Sequence, residues 1–144
     1  MPVRTFDPKQ VSVLVGGTPI GGFADGTFIT VDRSNDMFTK VSGADGVVSR
    51  SKSNDFSGEM TITLAQTSPS NDYLAGIAQA DEITGDGVVP VLIKDNSGRA
   101  TFVSAFAWVR KMPSSEFGKE IGNREWILDA ADLDMSPGGN PSAE

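Results

Sequence analysis

The sequence predicts a mainly β domain with one short α-helix. Apolar and polar residues alternate with a period of two in several segments, whereas a helical period occurs once. The 144 residues include 16 Gly and 8 Pro, so many turns are expected. This length is typical of one domain. We expect that domain over residues 1–135 and a flexible C-terminal tail over residues 136–144, where the sequence lacks core-forming residues.

The predicted strands are short and are separated by turn signals. Gly16 and Gly17 end the first strand, and Asp25-Gly26 is a hairpin signal before the second. The turn at 43–46 joins the third strand to the fourth. We expect strands at residues 11–15, 27–32, 38–42, 47–51, 59–65, 88–94, 100–111 and 124–131.

Two of these segments show clear alternation between an apolar and a polar face. In the segment 59–65 the apolar face is Met60, Ile62 and Leu64, and the polar face is Glu59, Thr61 and Thr63. The segment 124–131 sets Trp126, Leu128 and Ala130 against Glu125, Ile127 and Asp129. Each of these strands should place one face on a core.

The segment 49–58, SRSKSNDFSG, is polar and has no periodicity. This pattern predicts a long exposed loop or a flexible hairpin tip, and such loops commonly carry a function.

The helix is expected after Ser68-Pro69, with Ser70 or Asn71 as its N-cap. Its apolar stripe is Tyr73, Leu74, Ile77 and Ala78. The stripe covers about two turns, so the helix must be stabilised by packing against a sheet.

The strands at 88–94 and 100–111 should form an antiparallel hairpin across Asp95-Asn96-Ser97-Gly98. Pro90 cannot donate to a ladder, which predicts an edge position or a bulge there. In the second strand, strict alternation places Phe102, Phe106 and Trp108 on one face and Val103, Ala105, Ala107 and Val109 on the other. Because both faces of this strand are apolar, we expect both to be buried, either within the same domain or against a neighbouring subunit.

Charge and composition exclude several classes of function. The net charge of −7 disfavours tight binding of nucleic acid. There is no Cys and no His, which excludes Ser-His-Asp and Cys-His catalysis and the common zinc sites, and no cofactor is expected. No apolar segment approaches the length of a membrane-spanning helix, so membrane insertion is not expected.

Two groups of residues could form a catalytic or a sugar-binding site, but each also has a purely structural interpretation. Asp129, Asp132 and Asp134 could form a carboxylate pair for glycoside hydrolysis, but nothing nearby would desolvate them, so the chain is not expected to be an enzyme. Trp108 and Trp126 could stack on sugar rings, although packing in a core or an interface is the better interpretation for both, as for Phe102 and Phe106.

The order of these features resembles a known family. A Gly-rich early hairpin is followed by a polar loop, the strand GEMTITLAQ, the helix SNDYLAGIAQAD, the strand pair VVPVLIKDNSG and RATFVSAFAWVRKMP, and the closing REWILDAADLDM. Over residues 10–135 this pattern is similar to the tail tube proteins of contractile-tailed bacteriophages.

The resemblance implies an antiparallel β-sandwich or barrel with a flanking helix. It also implies that six copies close into a ring with a continuous inner β-barrel, and that the rings stack into a tube in the virion tail, assembled in the host cytoplasm. DNA would pass through without specific binding. The implied partners are further copies of the chain and the sheath, baseplate and terminator proteins of the tail.

On this interpretation, Glu59, Thr61 and Thr63 are the candidate lumen residues, because their strand has one polar face. The candidate contacts between rings are Arg50, Lys52, Asn54, Asp55 and Phe56, in the polar loop. Two alternatives remain at this point, which are another tail or baseplate component with the same fold and a carbohydrate-binding β-sandwich.

Overall fold

The structure is a computed structural model that describes residues 3–142. In this range the chain forms a 3-10 turn at Pro8–Gln10, ten β-strands and one α-helix. The elements are β1 Val11–Val15, β2 Thr18–Ile20, β3 Ile29–Arg33, β4 Phe38–Ser42, β5 Val48–Lys52, β6 Gly58–Ala65, α1 Ser70–Thr84, β7 Val89–Asp95, β8 Thr101–Lys111, β9 Asn123–Ala130 and β10 Leu133–Ser136.

Eight of the strands form one antiparallel sheet in the order β2-β1-β7-β8-β9-β6-β3, with β10 paired to the first half of β8. Inward side chains of β1 and β7 belong to the same core as those of β6 and β9, so the sheet curves around one core in the manner of a sandwich. Its end strands β2 and β3 do not pair with each other, so the sheet is not a closed barrel. The predicted fold class, mainly β with antiparallel pairing and one helix, is confirmed.

Alternation of buried and half-buried residues is strict in β6 and nearly so in β9. Met60, Ile62 and Leu64 are fully buried, and Trp126, Leu128 and Ala130 pack beside them from β9. Both predicted apolar faces therefore form the centre of the core.

Two short strands were not predicted from the sequence. β2 follows the Gly16-Gly17 turn, in which both residues have positive φ (59° and 82°), as a two-residue hairpin requires. β10 contains four residues and is held by its pairing with β8. Neither segment is long enough to show a period of its own. The eight predicted strands are all present, with ends that agree to within two residues.

The predicted division of β8 into two faces is wrong, because a bulge breaks the alternation. Val91 pairs with Ser104, but Val89 pairs with Ala107, so β8 has one extra residue in this interval. Ser104 and Ala107 are both buried, whereas Phe106 is 58% exposed. As a result Phe102 faces the core, and Phe106 and Trp108 lie on the outer side.

The Ser104 side chain stabilises this bulge. Its hydroxyl donates to the carbonyl of Phe106 at 3.2 Å and accepts from the Phe106 N–H at 3.3 Å. The register shift lies opposite Pro90, but its extra residue is on β8, and β7 is a central strand and not an edge.

The helix begins differently from the prediction. Pro69 occupies the N-cap position without a side-chain bond, and Ser70 is the first helical residue. The Ser68 hydroxyl accepts from the Ser70 N–H at 3.2 Å, so the preceding turn provides the cap. Asn71 does not cap the helix. Its side-chain oxygen accepts a hydrogen bond from the Trp126 indole at 2.8 Å, and its side-chain amide donates to the carbonyl of Ala65 at 3.0 Å.

The helix is also longer than its apolar stripe. It has 15 residues, and its buried residues are Leu74 and Ala78 in the middle. The Tyr73 hydroxyl donates to the carbonyl of Val15 at 2.9 Å, which ties the helix to β1. Gly85 ends the helix with a φ of 75°.

The C-terminal tail contacts the body of the same chain. The Arg99 N–H donates to the carbonyl of Gly139 at 3.0 Å, and the Asn140 amide donates to the carbonyls of Thr5 and Ser97 at 2.7 and 3.0 Å. Residues 143 and 144 lie outside the described range. The flexibility expected over residues 136–144 stays a prediction.

Candidate functional site

One outer surface of the sheet carries polar side chains across four adjacent strands. β3, β6 and β9 turn alternate residues to the core, so the intervening residues point outward. At the end of β8 the register shifts between Val109 and Lys111, so Arg110 and Lys111 both lie on the outer side. The predicted lumen residues Glu59, Thr61 and Thr63 lie at the centre of this surface, half-buried between neighbouring strands. The polar face, as we name it, comprises Thr30, Asp32, Glu59, Thr61, Thr63, Trp108, Arg110, Lys111, Glu125, Ile127 and Asp129.

Three carboxylates form a row across the polar face. Asp32 pairs with Glu59 across β3 and β6, and Glu59 pairs with Asp129 across β6 and β9. Like charges placed directly opposite each other repel, so an isolated row of this kind is unfavourable. An arginine on β8 reduces this repulsion.

The arginine is Arg110, which bridges two of the three carboxylates. Its Nε donates to both oxygens of Asp129 at 3.0 and 3.1 Å, and its terminal nitrogen contacts Glu59 and Asp129. The hydrogen bonds from Asp129 first, and then from Glu59, raise the pKa of the Arg110 guanidinium. Arg110 therefore keeps its positive charge. Asp32, the third carboxylate of the row, makes no ion pair within residues 3–142.

The polar face is acidic as a whole. Four carboxylates, those of Asp32, Glu59, Glu125 and Asp129, outnumber its two cations, Arg110 and Lys111. Because these groups are partly exposed, the ion pairs contribute little to stability. Their main consequence is a negative potential and a hydrated surface.

The second candidate region is a hairpin of β4 and β5 that forms its own two-stranded sheet. All ten residues of the two strands are exposed, so the hairpin projects from the body. The predicted strand pair is confirmed. The loop predicted over residues 49–58 is wrong in its first part, because Arg50 and Lys52 lie on β5 and cross-strand hydrogen bonding orders them.

One face of the hairpin carries three cations. Lys40 lies directly opposite Arg50, and Lys52 lies opposite Phe38. The Arg50 guanidinium stacks over the Phe38 ring at 4.1 Å from its centre. None of the three cations forms an ion pair with another part of residues 3–142. This cationic face contrasts with the net charge of −7 of the whole chain.

The remaining predicted loop residues hold the base of the hairpin. Hydrogen bonds from Ser57, with a further bond from the Asn35 amide at 2.6 Å, lower the pKa of Asp55. Phe56 lies under the Arg33 guanidinium at 5.5 Å, and its carbonyl accepts from the Leu133 N–H at 2.8 Å. Asn54 is exposed. Arg50 and Lys52 are therefore exposed on the projecting hairpin, and Asp55 and Phe56 attach the hairpin to the body.

The aromatic residues expected in a core or an interface divide between the core and the surface of this chain. Trp126 is 2% exposed and Phe102 packs against the core, while Trp108 is half-buried on the polar face and Phe106 is exposed. A buried Trp126 cannot serve as a platform for a sugar ring. This finding weakens the carbohydrate-binding alternative.

The carboxylates considered for glycoside hydrolysis do not converge. Arg110 holds Asp129 on the polar face, and Asp132 and Asp134 are exposed at the start of β10. Residues 3–142 contain no group of three or more side chains that could hold a metal ion. Across the same range, no helix has the length and hydropathy needed to cross a membrane.

Comparison with known proteins identifies the family. The model of the bacteriophage PhiTE tail tube protein matches residues 12–138 of the chain. The chain belongs to the PhiTE tail tube protein family. Membership confirms the resemblance to phage tail tube proteins that the sequence predicts, and it indicates a structural role in a virion tail.

A curated phage protein supports the same assignment. "Structural protein ORF10" of Pseudomonas phage KPP10 is 32% identical over 144 residues, which cover 94% of this chain and 83% of that protein.

Solved structures of similar fold come from contractile injection systems. The tube-terminating cap of the anti-feeding prophage superposes with a TM-score of 0.64 at 10% identity, over 94% of this chain and 93% of that chain. The sheath/tube terminator of the PVC extracellular contractile injection system gives 0.64 at 15% identity, over 93% and 98%. The PVC sheath-tube complex gives 0.59 at 16% identity, over 92% of both chains. At these identities the likeness concerns the fold alone.

Proposed function

We propose that this chain is the structural subunit of a tail tube, in which hexameric rings stack into a hollow conduit for DNA during ejection. The observation that carries this proposal is the polar face, which spans four antiparallel strands and ends at a free strand edge. The tube protein has no catalytic role in this proposal. Its partners are further copies, together with the sheath, baseplate and terminator proteins of a contractile tail.

Two unpaired strand edges support ring closure. β3 ends the sheet and has no partner on its outer side within the described residues. β7 pairs with β8 only as far as Ala107, so residues 108–111 of β8 lack a strand of the described chain on the side away from β9. Strand edges of this kind invite pairing with another chain.

The strand directions permit this pairing. β3, β6, β9 and β8 alternate in direction, so β8 of one copy can pair antiparallel with β3 of the next. Each copy would then add four strands to a continuous barrel, with the polar face lining the lumen. Closure into a ring removes both exposed edges.

The charge of the polar face suits a conduit. Its excess of carboxylates repels phosphate groups, and Thr30, Thr61 and Thr63 hold a layer of water. DNA would therefore pass without being retained on the wall.

The β4–β5 hairpin is suited to contact between rings. It projects from the body and presents cations that form no ion pair within residues 3–142. In an acidic assembly these cations would face carboxylates of a neighbouring copy, which gives the stack its attraction and register.

A second candidate function is that of a tube terminator. Two of the similar structures are terminators, each with a TM-score of 0.64, against 0.59 for the PVC sheath-tube complex. A terminator would form single rings that cap a tube, whereas a tube subunit would polymerise without a length limit.

We also propose that the tube assembles in the host cytoplasm. The experiment is to purify the full chain and to measure its self-association at increasing protein concentration by sedimentation and negative-stain imaging. We expect hollow filaments of uniform width. Single rings that never stack would favour the terminator, and a chain that stays monomeric at all concentrations would contradict both functions.

A further inference from the structure

An apolar cleft opens beside the free edge of β3. It has a volume of about 300 Å³ and lies between the start of β3 and the end of β7 with the start of β8. Its lining includes Phe28, Ile29, Ile93 and Phe102. Phe6, on the N-terminal segment, is 56% exposed at the same cleft. A monomer that leaves such a cleft open exposes apolar surface to water.

The loop that joins β8 to β9 carries apolar side chains that are mostly exposed. Phe117 is 82% exposed and Ile121 is 70% exposed, although most of the loop is polar. The Arg124 guanidinium stacks on Phe117 at 5.4 Å. The end of the loop is fixed, because Gln66 exchanges two hydrogen bonds with Gly122 at 2.9 and 3.0 Å.

The register of the sheet relates this loop to the cleft. Lys111 at the end of β8 pairs with Ile127, which pairs with Thr61, which pairs with Thr30 at the start of β3. If β8 of one copy pairs with β3 of the next, this row continues across the boundary between them. The chain that follows Lys111 then leaves the sheet beside residues 26–29 of the neighbour, which line its cleft.

The stagger of a closed barrel displaces this row by a few residues. The loop from 112 to 122 is long enough to span that displacement, since an extended chain covers about 3.3 Å per residue.

We propose that the loop 112–122 of one copy inserts Phe117 into the apolar cleft of the next copy, with Ile121 against its rim. The occupant is a second copy of this chain, and the contact is heterologous, since loop and cleft are different surfaces. This inference rests on the proposed ring and names a contact that joins each copy to the next.

The first test is the variant Phe117→Ser in the full chain, with Ile83→Ser as the control. Ile83 is 84% exposed on α1, so both changes remove an exposed apolar side chain. We expect Phe117→Ser to raise the concentration needed for ring assembly by about tenfold or more, as the loss of one buried aromatic side chain changes a binding constant on that order. Ile83→Ser should assemble like the unmodified chain, and neither change should alter the thermal unfolding of the monomer.

The second test uses the absence of Cys from the chain. Copies carrying only Thr27→Cys are mixed with copies carrying only Gly118→Cys, a change that keeps Phe117 and meets no atom within 4 Å. A short bismaleimide should join the two kinds of copy in assembled rings. Thr27→Cys mixed with Ile83→Cys should give no such product.

The outcomes separate the two proposals. Rings that form equally well with Phe117→Ser, or rings that give no product between positions 27 and 118, overturn this inference and leave the ring intact. A chain that never forms rings overturns both.

Discussion

At the scale of single residues, Ser104 lies at the bulge that changes which side chains of β8 face the core. The sequence of this strand predicts strict alternation, and alternation would place Phe106 beside Phe102. The extra residue at the bulge instead turns Phe106 outward, while Ala107 takes the buried position. A serine between apolar residues gives no local sign of a bulge, because the bulge is defined by pairing with β7 and by the hydroxyl contacts to Phe106. Sequence patterns therefore could not predict this change of face.

Replacement of Ser104 by alanine should destabilise the monomer. The Phe106 carbonyl would keep its bond from the Ala131 N–H at 2.9 Å, but the part-buried Phe106 N–H would lose the Ser104 hydroxyl as its acceptor. A fully buried donor without a partner costs about 1–3 kcal/mol, so we expect a loss toward the lower end of that range. Urea denaturation measures the change, and Ser136→Ala, at an exposed position of β10, should shift the midpoint very little. An unchanged midpoint for Ser104→Ala would mean that backbone pairing alone maintains the bulge.

At the scale of elements, the strands with a clear period were predicted well. β6 and β9 show the alternation that the sequence indicates, since every inward residue of the pair contributes to one core. β2 and β10 were missed because three or four residues cannot establish a period. The helix was placed correctly, but its N-terminus was not, because Asn71 bonds to Trp126 and β6 rather than capping the helix. That contact depends on the tertiary structure.

The β4–β5 hairpin allows a prediction about stacking. The variant Lys40→Gln/Arg50→Gln/Lys52→Gln removes the three cations from one face of the hairpin. We expect rings to form but long tubes to be lost, with little change in monomer stability, because all three positions are exposed. The length of tubes in negative-stain images measures the effect. Tubes of the unmodified chain should also shorten as salt is raised, since salt screens exposed charges.

A matched control places the same change in net charge on the opposite face of the hairpin. Thr39→Glu/Ser49→Glu/Ser51→Glu lowers the net charge by the same three units, and these residues share the face away from Lys40. Tubes close to the normal length are expected from this variant. If both variants stack equally well, the cationic face has no role in contacts between rings.

At the scale of the whole molecule, the resemblance predicted the family, whereas the residues alone could not locate the lumen. Glu59, Thr61 and Thr63 show the same alternation whether their strand lines a pore or faces bulk water. The structure adds that their row continues through Asp32 and Asp129 on adjacent strands. Among residues 3–142, the sheet also has free edges at β3 and at the end of β8. Those features arise from the order of strands, which a period along one segment cannot reveal.

The lumen assignment predicts where added charge would retain DNA. Thr61→Lys/Thr63→Lys places two cations per copy on the polar face, whereas Thr101→Lys/Ser136→Lys places them on paired outer positions of β8 and β10. Tubes assembled with short duplex DNA should retain it in both cases, because each added cation attracts phosphate. If the polar face lines the lumen, only the first variant should protect its DNA from nuclease, and tubes of the unmodified chain should retain none. Protection by the second variant and not by the first would place the polar face on the outside of the tube.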